Sequence, residues 1–321
     1  MELINPEPAV ELLADSSKSG PLKVAVMSGK GGTGKSTFAA NLAARLASSR
    51  PGVIILDCDL NVGQLHLLLG LSPCFGLAQV VRGEKNLKQV IEAHNGLHVV
   101  PGGPNGGQGM EMERSHIEKL LGEAETAIPS PAIVIVDTGP SRIATAPDFA
   151  AAADIALAVT TPESTSVRAT VALLEALCCN RPDLRPWVLV NMASGEGEAA
   201  ATYDLIRGSL LPLFEDNPHF FGCVPFDPVV PLSVRQAVPF VVSSTESPAS
   251  RNLAALAESL VRAGADRAGP GAHTTRTDEE GSTRPEGSGR SDGGHSSSGP
   301  WASDAESGAD DGEDEDEALA A

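Results

Sequence analysis

Residues 29–37 read Gly-Lys-Gly-Gly-Thr-Gly-Lys-Ser-Thr, which satisfies the phosphate-binding-loop pattern and adds a second lysine after the first glycine. The loop follows an apolar run, Leu22 to Met27, and opens a stretch from Ser36 to Leu46 whose composition suits a helix. This strand, loop and helix context is what the pattern requires, because glycines let backbone N–H groups turn inward and the helix start adds partial positive charge. The sequence therefore predicts a site for nucleotide phosphates.

The residue types of this loop assign roles within that site. We expect Lys35 to reach the β- and γ-phosphate oxygens and Ser36 to hold Mg²⁺. The predicted nucleotide-binding residues of the loop are Gly29, Lys30, Gly31, Gly32, Thr33, Gly34, Lys35, Ser36 and Thr37.

The body of the chain alternates short apolar runs with segments of helix length. Predicted strands are Leu22–Met27, Val53–Leu56, Leu97–Val100, Ala132–Val136, Ile155–Thr160, Trp187–Val190 and Phe221–Val224. Predicted helices include Met112–Ala127, Glu163–Cys179, Glu198–Phe214 and Pro248–Ala265. Because the strands are apolar on both faces, the expected fold is α/β, a single doubly wound domain with a mostly parallel sheet flanked by helices.

Acidic residues stand at the carboxyl ends of two predicted strands, where ligands of such sheets bind. We expect Asp137 to accept from the water shell of Mg²⁺ and Asp59 to orient the attacking water, while Asp57 supports the metal. A turn-capping role is the alternative for Asp57. The predicted metal residues are Ser36, Asp57 and Asp137, and the predicted catalytic residues are Lys30, Lys35 and Asp59.

Composition bounds the class of protein. The 321 residues include five cysteines with no Cys-x-x-Cys spacing, which argues against a zinc or iron–sulfur site and fits a reducing cytosol. No apolar stretch approaches the length of a membrane span, and the first twenty residues contain no long apolar core. The expected location is cytoplasmic.

The two ends differ from the body in composition. We expect residues 1–20 to form a short leader and residues 21–267 to form the domain. Residues 268–321 carry fourteen acids and three arginines, a net charge of −11, which leaves −8 of the total −19 on the rest. This Gly- and Ser-rich segment has too little apolar surface to offset its ordering entropy, so the expectation is a disordered tail. A solubilising segment and a specific binding arm are both open for it.

A series of further motifs follows the loop in order along the chain. They are Asp57–Leu60, Leu67–Leu71, Val81–Glu84, Val100–Gly103, Val136–Thr138, Thr160–Glu163, Val190–Met192, Gly222–Pro228 and Arg235–Phe240. With the two-lysine loop, this order resembles the MinD/ParA family of deviant Walker A ATPases, and within it the FlhG (FleN, YlxH) branch of flagellar-number regulators.

The resemblance implies a function as well as a fold. In that family, the residue corresponding to Lys30 reaches across an ATP-dependent homodimer to the partner's phosphates. Carried over, Asn191 and the loop with Pro225 and Asp227 recognise adenine, and the cofactors are ATP and Mg²⁺. The implied role is a switch that sets the number or placement of flagella through a protein partner, such as a flagellar GTPase or a transcriptional regulator.

Two loops depart from the family pattern. The chain has Asn61 to His66 after the predicted catalytic aspartate, and Gly139-Pro140-Ser141-Arg142 where the family has an Ala-Ala-Gly-Ile-like run. Proline fixes φ and cannot donate a hydrogen bond, so the second loop is stiffer than a switch requires. We therefore expect slow ATP hydrolysis.

Two alternatives to the FlhG-like switch follow from these features. One is a cargo-positioning ATPase of the ParA kind, which would need a basic surface for DNA, whereas the body is acidic. The other is a nucleotide-binding scaffold that has lost turnover. The chain also lacks a basic amphipathic helix after its last predicted helix, so neither a stable membrane anchor nor nucleic acid is expected among its partners.

Overall fold

The computed structural model describes residues 20–61, 63–103, 110, 112–139, 145–181, 183–210 and 218–267. The predicted leader up to residue 19, the predicted acidic tail at residues 268–321 and the substituted loop at residues 140–142 lie outside this part of the chain. The domain boundaries at residues 20 and 268 therefore stay predictions.

One sheet forms the centre of the described part, where it contains eight strands. They are β1 (Leu22–Met27), β2 (Val53–Asp57), β3 (Glu92–His94), β4 (Leu97–Val100), β5 (Ile133–Asp137), β6 (Ile155–Thr160), β7 (Trp187–Ala193) and β8 (His219–Pro225). Their order is β3-β4-β2-β5-β1-β6-β7-β8, and every neighbouring pair is parallel except β3 with β4. The predicted α/β fold with a mostly parallel sheet is confirmed.

Helices follow most of the strands in the described residues. They are α1 (Lys35–Ala47), α2 (Leu65–Leu68), α3 (Leu77–Val81), α4 (Arg114–Ala124), α5 (Ala146–Ala152), α6 (Ser164–Asn180), α7 (Glu196–Leu210), α8 (Val229–Gln236), α9 (Phe240–Ser243) and α10 (Pro248–Arg267). No helix in this part of the chain combines the length and the apolar character needed to cross a membrane.

The strand order reverses at β1, and this places the helices in two layers. From β1 the chain first moves towards β2 and β4, and later returns through β5 and continues towards β8. Right-handed crossovers in opposite directions put their helices on opposite faces of a sheet. Accordingly α1, α9 and α10 contact one another, while α4, α5, α6 and α7 contact in series. The loop after β1 lies at this reversal, where doubly wound sheets bind their ligands.

All seven predicted strands are present, although β7 extends three residues further and β8 begins two residues earlier than predicted. The prediction missed β3, a three-residue edge strand, because Glu92–His94 is polar and exposed and lacks an apolar pattern. The four predicted helices correspond to α4, α6, α7 and α10. Short helices such as α2 and α9 were not predicted, because four residues contain too little of a helical period.

A bulge interrupts β8 where it meets α10. Val188 pairs with Phe220 but the next residue of β7, Leu189, pairs with Gly222, so Phe221 is the extra residue. Gly222 has φ of 133°, and a Cβ at this position would lie 2.8 Å from Cδ2 of Leu256 in α10. Only glycine fits both the backbone conformation and the contact.

Gly222→Ala is expected to lower the free energy of unfolding by about 1–3 kcal/mol, because alanine strains the bulge and displaces Leu256. The matched control is Gly122→Ala in α4, where an added Cβ meets no atom within 4 Å. That change should stabilise the protein by up to about 1 kcal/mol, since alanine is the better helix former. Urea denaturation of both variants measures this, and a neutral Gly222→Ala would contradict it.

Candidate functional site

A cavity of about 650 Å³ opens at the carboxyl edge of the sheet. Its lining comes from the loop after β1 and from the ends of β2, β5 and β7, with residues that precede α4 and belong to α5. The lining residues are Ser28, Gly31, Gly32, Thr33, Gly34, Lys35, Ser36, Thr37, Asp57, Cys58, Asp59, Leu60, Asn61, Gln64, Met110, Met112, Thr138, Gly139, Thr145, Phe149 and Met192. The structure thus brings residues 31–37 of the predicted phosphate loop, with Asp57 and Asp59, to one cavity. Asp137 is not among the lining residues, and neither are Gly29, Lys30, Asn191, Pro225 and Asp227.

The glycines of the loop serve different purposes. Gly32 and Gly34 have φ near 80°, a left-handed conformation that glycine adopts without strain. A Cβ on Gly29 would lie 2.1 Å from the carbonyl oxygen of Ala169 in α6, so this glycine allows close packing of two backbones. A Cβ on Gly31 or Gly32 would meet nothing within 4 Å. The loop is therefore packed against α6 at Gly29, whereas Gly31 and Gly32 face open space.

Lys35 lies at the bottom of the cavity, and its side chain is buried. Its ammonium donates to Oδ1 of Asp137 and lies 3.2 Å from Oγ of Ser36. Asp137 ends β5 and is itself buried, and the register of β2 with β5 sets Asp57 directly beside it. One cation and two carboxylates thus share a desolvated position, where an unpaired charge would be costly.

Asp57 experiences opposing influences on its pKa. Burial is the largest, and together with the neighbouring Asp137 it raises the pKa of Asp57 to about 7. Backbone N–H groups of Leu65 and Asp59, each 3.1 Å from a carboxylate oxygen, and the charge of Lys35 act in the lowering direction. The two backbone bonds also match the turn-capping alternative, so Asp57 can hold its loop and still face a cation.

Three glycines enclose the turn that carries Asp57 and Asp59. A Cβ on Gly63 would lie 2.7 Å from Oδ2 of Asp57, and one on Gly102 would lie 2.4 Å from the carbonyl oxygen of Asp59. A Cβ on Gly139, whose φ is 73°, would lie 3.0 Å from Cβ of Asp59. Backbone therefore packs against this turn from its own loop at Gly63 and from two other loops at Gly102 and Gly139.

Lys30 lies apart from the acidic cluster. Its ammonium donates to Oε2 of Glu163 at 2.8 Å and to Oγ1 of Thr165 at 3.0 Å, at the start of α6. Both members of the ion pair are exposed. Seven loop residues, Gly31 to Thr37, line the cavity, whereas Lys30 points to a neighbouring part of its own chain.

The residues predicted to recognise adenine lie at the ends of β7 and β8. Asn191 is buried, and its Nδ2 donates to the carbonyl oxygen of Thr33 at 2.8 Å, which braces the phosphate loop. Asp227 accepts from the backbone N–H groups of Val229 and Ala249, each at 3.1 Å, and so joins the starts of α8 and α10. Pro225 is the last residue of β8. Their role in base recognition stays a prediction.

The cavity and its lining residues fit a nucleoside triphosphate with a divalent cation. Oγ1 of Thr33 and Oγ1 of Thr138 are buried beside the cavity without a hydrogen-bond partner among the described residues, and the loop glycines leave a cradle that side chains would fill. No group of three or more His, Cys, Asp or Glu residues in the described ranges has a geometry suited to a metal. If Mg²⁺ is bound, Ser36, Asp57 and Asp137 would hold it together with phosphate oxygens and water, since this cation is commonly bound by one or two carboxylates and keeps several waters.

Several lining residues were not predicted from the sequence. Met112 and Phe149 are buried apolar residues of the lining, and Met192, from β7, is exposed. Isolated apolar residues carry no motif, so only their position in the fold reveals them. Gly34 also has a partner that spacing does not predict, since a Cβ there would lie 2.3 Å from Nδ2 of Asn191.

Known proteins are similar to this chain in sequence. The family described as "ParA: NUBPL iron-transfer P-loop NTPase" matches residues 21–99. Antiactivator FleN from Pseudomonas aeruginosa is 30% identical over 220 residues, which cover 67% of this chain and 76% of FleN. The flagellum site-determining protein YlxH from Helicobacter pylori is 29% identical over 205 residues, which cover 63% of this chain and 68% of YlxH. The chain belongs to the MinD/ParA family of P-loop NTPases, on the branch that includes FleN and YlxH.

Solved structures share the fold. MinD from Pyrococcus horikoshii, solved with Mg-ADP, has a TM-score of 0.63 at 21% identity, covering 75% of this chain and 96% of that one. The MinC:MinD complex from Aquifex aeolicus contains a chain with a TM-score of 0.60 at 21% identity, covering 75% of this chain and 95% of that one. The order of motifs in the sequence therefore indicated the correct family and fold.

Proposed function

We propose that this protein is an ATP-dependent switch that binds ATP with Mg²⁺, forms a homodimer in the ATP state and hydrolyses ATP slowly. The observation that carries the proposal is the buried cluster of Lys35, Asp137 and Asp57 beneath an open glycine loop. A cation held beside two carboxylates at the carboxyl edge of the sheet matches the needs of a Mg-nucleotide site.

The chain's own groups supply the chemistry of that site. Backbone N–H groups of the loop and the start of α1 bind phosphate oxygens, and Lys35 adds positive charge near the β- and γ-phosphates. Ser36, Asp57 and Asp137 hold Mg²⁺, which when bound offsets the phosphate charge. Asp59 orients a water molecule, whose oxygen forms a bond to the γ-phosphorus while the bond to the ADP oxygen breaks.

Dimerisation depends on Lys30 in this proposal. To reach the phosphates of a second subunit, its ammonium must leave Glu163 and Thr165. Both side chains of the ion pair are exposed, and such pairs typically contribute only about 0–1 kcal/mol. Exchanging the Glu163 carboxylate for a phosphate of the second subunit therefore costs Lys30 little free energy. Because Lys30 would contact ATP only in the dimer, ATP binding and dimerisation become linked.

Light scattering with a non-hydrolysable ATP analogue tests the switch. We expect the wild type to double in mass, Lys35→Ala to lose nucleotide binding, and Lys30→Ala to bind nucleotide but dimerise about tenfold more weakly through loss of a charge-assisted contact. Lys119→Ala is the matched control, because Lys119 is an exposed lysine of α4 paired with Glu123. A wild type that binds the analogue and remains a monomer contradicts the switch.

The names of two relatives support a proposal for the biological role. FleN is named an antiactivator and YlxH a flagellum site-determining protein. We infer that this chain acts in the cytoplasm on flagellar number or placement, through a protein partner such as a flagellar GTPase or a transcriptional regulator.

Deleting the gene from its host should change the number or the position of flagella per cell, counted by electron microscopy. The deletion removes the ATP-dependent form that acts on the partner. Restoring the wild type should reverse the change, whereas restoring Lys35→Ala should not. Unchanged flagellation in the deletion strain would argue for a different cargo or process.

A scaffold without turnover is the second candidate, and the residues after Asp137 favour it. Pro140 and Arg142 flank Ser141, where the family resemblance expects a glycine that donates to the γ-phosphate. Under this alternative the protein signals by nucleotide occupancy alone.

The triple variant Pro140→Ala, Ser141→Gly and Arg142→Ile separates the two candidates. It should hydrolyse ATP faster than the wild type, by up to about a hundredfold, since one properly placed donor is worth that much in rate. Asp59→Ala should slow hydrolysis further without releasing ATP. If the wild type already hydrolyses ATP as fast as the triple variant, the altered loop is neutral and the scaffold loses its support.

A further inference from the structure

Met192 has an unusual position in β7. The other six residues of this strand are buried, whereas 41% of Met192 is exposed. The register of β7 with β8 slips at this point, since Asn191 pairs with Val224 and Ala193 with the next residue, Pro225. A bulge of this kind turns one side chain away from its usual face while the strand continues. Here the side chain that leaves the strand pattern is that of Met192.

The backbone of Met192 is strained. Its φ is 59°, a left-handed conformation that a long side chain rarely adopts. Three other non-glycine residues in the described ranges have positive φ, namely Asn95, Ser130 and Ala237. Those three lie outside the strands, and Ala237 ends α8 in the manner of a helix cap. Strain of this kind inside a strand persists only where the surroundings impose it, and it concentrates at functional sites.

The side chain of Met192, whose backbone is strained, lines the same cavity as the phosphate loop. Of the described residues lining that cavity, only Met192 comes from β7 or β8. It also lies close to the loop, because a Cβ built on Gly34 would come within 3.3 Å of Cε of Met192. Met192 therefore leaves little room for a side chain at the last glycine before α1.

The strand order determines which part of a nucleotide meets Met192. Asp57 and Asp137 end β2 and β5, on one side of β1, whereas β6, β7 and β8 lie on the other. A nucleotide whose terminal phosphate lies near Asp57 and Asp137 must extend its base towards the opposite side. Among the described residues that line the cavity, Met192 is the one that β7 supplies on that side. Its neighbour Asn191 is buried and bonded to Thr33.

We infer that Met192 determines base recognition, and that its thioether packs against the face of the purine ring of the bound nucleotide. This inference rests on the proposed function and deepens it. A methionine sulfur is polarisable and makes favourable contacts with aromatic rings, which are larger in purines than in pyrimidines. In this arrangement the bulge and the left-handed backbone place this side chain over the base. Asn191 meanwhile supports the phosphate loop through its bond to Thr33.

Binding measurements with ATP and with inorganic tripolyphosphate, both with Mg²⁺, test the inference. Met192→Ala should weaken ATP binding about tenfold and leave tripolyphosphate binding unchanged, because only ATP has a base. The preference of the wild type for ATP over CTP should shrink in the same variant. Met192→Leu, which keeps an apolar contact of similar size, should retain most of the ATP affinity.

Each other outcome has a distinct meaning. Equal losses for ATP and tripolyphosphate would show that Met192 only supports the loop, and an unchanged ATP affinity would show that it does not contact the base; either result overturns the inference. A wild type that binds tripolyphosphate but not ATP also overturns it. A wild type that binds neither refutes the proposed function, and the inference with it.

Stability measurements without nucleotide test the strain separately. At a left-handed position glycine is more stable than alanine, so Met192→Gly should unfold at a higher urea concentration than Met192→Ala. The gain should match that of Ala237→Gly over the wild type, since Ala237 has φ of 53° and lies outside the cavity lining. Equal stability of the two Met192 variants contradicts the strained placement from which the inference starts.

Discussion

A single buried ammonium, that of Lys35, holds together the carboxyl edge of the sheet. It meets Asp137 at the end of β5, and Asp57 lies beside Asp137 in register. Removing the charges of Lys35 and Asp137 from water is expensive, and a buried pair is tolerated only when its geometry is good and its remaining polar atoms are bonded. The strands that end in these acids must therefore stop at the same level, and Lys35 must reach them from the loop that follows β1, the strand on the other side of β5.

The loops around this cluster hold the acidic turn after β2 in position. Gly63, Gly102 and Gly139 come from three separate connections, and each passes too close to Asp57 or Asp59 for a side chain. Close backbone packing restricts the carboxylates more firmly than side chains would, because backbone has fewer ways to yield. The loops are thus closely packed around the acids, whereas Lys30 and Met192 lie at the margins of the site with exposed side chains.

The sequence was informative where a motif or a period was present. The glycine loop, the strand-end acids and the seven apolar strands follow from residue type and spacing, because phosphate binding and burial each demand particular residues. The edge strand β3 and the four-residue helices lack such a pattern and were missed. Contacts between distant residues were also beyond reach: neither the bond of Asn191 to Thr33 nor that of Lys30 to Glu163 has a signature in local spacing. Met192 ends one of the sequence motifs, but its exposure, its left-handed backbone and the slip in register become visible only in the structure.

The brace from Asn191 to Thr33 joins residues 158 positions apart in the chain. A ribosome adding roughly 5–20 residues per second takes on the order of ten seconds or more to synthesise the intervening segment. During that interval the emerging chain carries the complete phosphate loop without the amide that supports it. A hydrogen bond to Asn41 of α1 forms later still, because its Oδ1 accepts from the backbone N–H of Val241, 200 residues further along the chain. The contacts that support the phosphate loop and α1 are therefore completed only late in synthesis.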